Sequence, residues 1–123
     1  MPITLPNLKP LVSKIRKECD IDIHRMGAVV FTRNGRVLGM STNRKGVGSV
    51  SDYSYHAEEM ALLRTARKRG YLPRKEKVYL LVLRLTSRGT YNLARPCYPC
   101  YQLCKEAGIA GVFYTTLDGV TRL

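Results

Sequence analysis

Apolar residues recur at helical spacing over residues 7–19, where Leu8, Leu11, Val12, Ile15 and Cys19 share one face between basic positions. This spacing predicts an amphipathic helix. Two short apolar runs follow, over residues 25–31 and 36–41, separated by Asn34-Gly35. An Asn-Gly pair between such runs is a hairpin signal. Residues 42–54 are looser, interrupted by Gly46, Gly48 and Ser49, and can wrap a ligand. Helical periodicity returns over residues 55–69, with Ala57, Met60 and Ala61 toward the core and Gly70 as its stop. The unbroken apolar run Val78–Leu85 suits a central strand covered on both faces. Arg95-Pro96 then opens a further helix that carries Cys97, Cys100 and Cys104 and ends at Gly108. Residues 112–115 form another strand, and Asp118-Gly119 is a turn.

The resulting order, α-β-β-α-β-α-β, belongs to an α/β domain with a mixed sheet and helices on its faces. Its 123 residues suit a single domain, with no internal repeat and no linker long enough to divide residues 1–123. No apolar run approaches the roughly 20 residues that span a bilayer. Met1-Pro2-Ile3-Thr4 lacks the layout of a signal peptide. A soluble cytoplasmic protein without a membrane partner is expected.

Charge changes the picture. Lys and Arg number 21 against 9 Asp and Glu, for a net charge of +12. Such an excess favours anionic partners, either one phosphate on a nucleotide or the backbone of single-stranded nucleic acid. Arg64, Arg67 and Lys68 share a helical face, and Arg74, Lys75, Arg84, Arg88 and Arg95 extend the supply. Yet no stretch interleaves basic and aromatic residues as single-strand binders do.

Three of the four cysteines, at 97, 100 and 104, fall within eight residues. In a reducing compartment that crowding reads as metal binding rather than a disulfide framework. Cys97 and Cys100 lie on one side of their helix. Cys104 reads as a small buried thiol packed under the site, since an open catalytic zinc needs its fourth position for water. Upstream, His56-Ala57-Glu58 offers an imidazole and, two residues on, a carboxylate that is free to move protons.

His56-Ala57-Glu58 with Pro96-Cys97-Tyr98-Pro99-Cys100 matches the H-x-E…P-C-x-x-C pattern of the zinc deaminases. The chain resembles the cytidine/deoxycytidylate deaminase superfamily. The resemblance implies a three-layer α/β/α fold with a mixed sheet of about five strands. It implies Zn2+ held by His56, Cys97 and Cys100, and hydrolytic conversion of a cytosine base to uracil. Glu58 would take a proton from the attacking water and pass protons to the ring N3 and the leaving ammonia. Asn43 stands where relatives hydrogen-bond the substrate sugar. The backbone N–H of Ala57 and the carbonyl of Pro96, next to Cys97, would read the pyrimidine edge; apart from the resemblance, Tyr53 and Tyr55 offer rings to stack on a base or to pack beside the site.

Relatives acting on deoxycytidylate, tRNA or single-stranded DNA usually end in a helix and a parallel strand. Here Val120-Thr121-Arg122-Leu123 leaves room only for a short antiparallel fifth strand, the arrangement of the free-nucleoside deaminases. Those usually carry Cys where this chain has His56. The substrate expected is a nucleoside or nucleotide such as cytidine or deoxycytidylate. The alternatives are cytosine or adenine in single-stranded DNA or RNA, or a non-catalytic, zinc-stabilised nucleic-acid-binding module. Small members of the superfamily often assemble as dimers or tetramers, which implies a homo-oligomer.

Overall fold

A computed structural model describes residues 3–18, 25–42, 61, 77–86, 88–96 and 98–123. Helix α1 spans Lys9–Glu18, and the strands are β1 (Arg25–Thr32), β2 (Val37–Thr42), β3 (Val78–Leu85) and β4 (Tyr91–Asn92). Helix α2 (Tyr98–Glu106), β5 (Gly111–Thr116) and β6 (Gly119–Arg122) complete the order. The sheet runs β2-β1-β3-β5-β6, with β4 paired to β3 at its end. Only β3 and β5 are parallel; β1 is antiparallel to β2 and β3, and β6 to β5. The sheet is therefore mixed, β3 is central, and β6 turns back antiparallel on β5 as expected. The two-residue β4 is an addition to the five strands expected from the sequence.

Alternation along the strands sorts the core into two layers. Val29 and Phe31 of β1, with Tyr79, Leu81, Leu83 and Leu85 of β3, pack with Leu11 and Ile15 of α1. The other face carries Ala28, Val30, Val78, Leu80 and Val82, packed with Cys104 of α2 and with Ala61. Ala61 is helical and fully buried, as expected for the core side of a helix over residues 55–69. Both faces of β3 are covered, so its continuous apolar run is a burial requirement rather than a lapse of alternation. Phe31, Tyr79 and Phe113 form an aromatic cluster on the α1 face, with ring centroids 5.8 to 6.3 Å apart.

α1 begins where Asn7 Oδ1 accepts the Lys9 N–H at 3.1 Å, and Pro10 sits in its first turn, where a missing donor is harmless. It crosses β1 over Gly27. A Cβ there would stand 2.8 Å from the Ile15 Cδ1 and Leu11 Cδ1 atoms. In β2 the register passes from Val30↔Gly39 to Phe31↔Val37, leaving Leu38 as an extra, bulged residue. The bulge places Leu38 in the α2-side core while Val37 stays exposed.

Three hairpins share a Thr-x-x-Gly spelling: Thr32 with Gly35, Thr86 with Gly89, and Thr116 with Gly119. In each the Thr Oγ1 accepts a backbone N–H of the turn at 3.2 Å, from Arg36, Arg88 and Asp118 respectively. Gly35 and Gly89 adopt φ of 87° and 85°, the left-handed position of a three-residue hairpin loop. α2 ends in a Schellman motif, with Gly108 N–H donating to Lys105 O and Ile109 N–H to Cys104 O. No helix among the described residues is long and apolar enough to cross a membrane.

Candidate active site

One edge of the sheet gathers the ends of the strands that lead into both sequence motifs. Thr42, the last residue of β2, pairs with Gly27 at the start of β1, and Arg25 pairs with Leu85 at the end of β3. β5 runs parallel to β3, so it ends on the same side. The chain leaves this edge from β2 toward Asn43, and from β3 by way of β4 toward Pro96. Open α/β sheets bind ligands outside the carboxyl ends of their parallel strands, which here are β3 and β5.

The approach to the cysteines is held by β5. Thr115 is fully buried; its Oγ1 accepts the Arg84 backbone N–H at 3.1 Å and donates to Asn92 O at 2.7 Å. The Ala94 N–H donates to Thr115 O at 3.0 Å, and Asn92 Oδ1 accepts the Leu93 N–H at 2.8 Å. Three of these hydrogen bonds hold residues 92–94, the fourth ties Thr115 to β3, and buried Pro96 hands the chain to α2. Arg95 and Tyr98 on either side are exposed, and Gln102 Nε2 donates to the Tyr98 hydroxyl one turn on.

Of the residues expected in the site, Pro96 lies in this anchored connection and Cys100 falls in the first turn of α2. Asn43, Tyr55, His56, Ala57, Glu58 and Cys97 lie outside the described residues, as do Cys19, His24 and Tyr53. Among the described residues no group of three His, Cys, Asp or Glu side chains could hold a metal. Cys104 is a buried thiol in the core beneath α2, as its position four residues after Cys100 predicts. Thr42 and Ala61 bracket the His56–Glu58 segment. Ala61 shares a buried cluster with Ala94 and Cys104 on the α2 side of the sheet.

Sequence reading alone missed two polar groups here. Thr115 looked like one more strand residue. Ser41 faces the α2 side, opposite Ala28, and its Oγ is buried without a hydrogen-bond partner among the described residues. The Thr-x-x-Gly spelling at 86–89 was the available signal for the hairpin that brings Asn92 to Thr115.

A family model for the cytidine and deoxycytidylate deaminase zinc-binding region matches residues 7–116. The chain belongs to this deaminase family. A solved cytidine deaminase from Mycobacterium leprae is similar in fold, with a TM-score of 0.56 and 19% sequence identity. The match covers 93% of this chain and 87% of that one. No curated protein sequence matches. The three-layer mixed-sheet architecture expected of the deaminase family is the one observed, and the matched region takes in both motifs.

Proposed function

We propose that this deaminase hydrolyses the exocyclic amine of a cytosine base in a nucleoside or nucleotide such as cytidine or deoxycytidylate. The observation that carries the reading is the joint presence of His56, Glu58, Cys97 and Cys100 inside the region matched by the family model. The antiparallel β6 supports a small substrate.

One imidazole and two thiols fit the His/Cys/Cys donor set of zinc deaminases. Cys100 lies in the first turn of α2 and Cys97 directly precedes that helix in sequence; free N–H groups and the dipole at a helix start favour thiolates. His56, Cys97 and Cys100 would hold Zn2+, which when bound acidifies water and leaves it a coordination position. Glu58 then serves the proton traffic. It takes one proton from water as oxygen bonds to C4 and delivers it to N3, then takes the second from the oxygen now on C4 and delivers it to the departing nitrogen as the C4–N bond breaks. Water and cytosine thereby become uracil and ammonia. Asn43 holds the sugar, the Ala57 N–H and Pro96 carbonyl orient the pyrimidine edge, and Tyr55 stacks on the ring. The Thr115 contacts keep the Pro96 connection from shifting during this exchange.

The test is ammonia release or the cytosine-to-uracil absorbance change on zinc-loaded protein. Cytidine, deoxycytidine, their monophosphates and a cytosine-containing single strand are run in parallel. Glu58→Ala should retain zinc and lose activity by at least about 100-fold, the lower range for a removed general acid–base group. Equal zinc content with no turnover in either protein defeats the reading in favour of a structural zinc module.

A further inference from the structure

α1 and β4, distant in sequence, enclose an open groove of about 570 Å³, and its lining includes Asn7, Lys9, Val12, Ser13, Arg16 and Tyr91. Lys9, Ser13 and Arg16 stand at i, i+4 and i+7, so they form one stripe along the helix. The Cα atoms of Lys9 and Arg16 are about 10 Å apart along its axis. Side chains of this length reach two successive phosphates along one chain. Among the described residues no carboxylate lines the groove. The Arg16 guanidinium lies across Gly89, where an added Cβ would stand 2.6 Å from Nη2, and exposed Arg88 flanks the same turn. Tyr91 of β4 is half-buried, packs against the α1-side core and also lines the groove.

We propose that this groove binds single-stranded nucleic acid, with Lys9 and Arg16 on the phosphates and Tyr91 stacking on a base. A basic stripe facing an aromatic platform is the combination by which single strands are held without sequence preference. It is absent from any continuous stretch of the sequence and arises only where α1 meets β4. The net charge of +12 supplies the long-range attraction. The groove stands independently of the deamination reading, because binding is measured without turnover.

The test uses the whole zinc-loaded protein and a fluorescein-labelled oligothymidine, with anisotropy read across a salt series. Lys9→Ala with Arg16→Ala should reduce the slope of log K against log salt by about 1.4, the loss of two phosphate contacts on a single strand. Lys77→Ala with Lys105→Ala removes equal charge elsewhere and should leave the slope unchanged. Tyr91→Leu should weaken binding about tenfold and Tyr91→Phe should restore it, as stacking requires. Thermal melts identify any variant that fails to fold, and the Phe variant keeps the test valid in that case. The proposal is overturned if both charge pairs act alike. It also fails if Tyr91→Leu is silent and a duplex of equal length binds as tightly. Retention of anionic phosphatidylserine vesicles in place of the strand would overturn it in favour of a membrane surface.

Discussion

Gly27 and Thr115 show how single residues constrain this molecule in opposite ways, one by having no side chain and one by using every atom of a small one. A methyl group at Gly27 would press on Ile15 and Leu11 at 2.8 Å. Gly27→Ala should lower stability by about 1–3 kcal/mol, the usual cost of overpacking, seen as a lower denaturation midpoint in urea. At Thr115, Val is nearly isosteric but strands the Arg84 N–H and the Asn92 carbonyl. Thr115→Val should cost about 1–3 kcal/mol for each buried group left unpaired. Because residues 92–94 carry the chain into α2, kcat should fall as well, measured at a temperature where the variant remains folded. Both glycine and threonine are visible in the sequence. Nothing local marks one as lying under a helix or the other as a three-way acceptor and donor, because their partners lie 12 to 31 residues away.

The elements themselves were legible wherever one face or one turn determines them. α1, the β1–β2 hairpin, β3 and the Gly108 stop follow from periodicity and turn chemistry, and they appear within a residue or two of the expected bounds. β4 was not legible, since two residues have no period. Its hairpin is spelled only by the recurring Thr-x-x-Gly. Gly108→Ala tests the helix end: at φ of 82° a methyl group is strained, although nothing lies within 4 Å of it. The expected loss is about 1 kcal/mol, read as a drop in melting temperature, with α2 fraying from its C-terminal end and the cysteine end unaffected.

The whole molecule places β3 between two covered faces, so a charge at its centre has no exit to solvent. Val82→Asp should prevent folding, scored as insoluble protein with no cooperative melt, whereas the same change at exposed Val37 should be tolerated. The sequence by itself determined the three-layer class and the antiparallel ending. It also offered His56, Glu58, Cys97 and Cys100 as the candidate set, because periodicity, turn chemistry and donor chemistry are local quantities. The tertiary structure alone decided that the exits of β2, β3 and β5 share one edge, that β5 clamps the entry to α2, and that α1 and β4 form a basic groove with an aromatic wall. These arise from strand order and from contacts between distant segments, which no window of the chain contains.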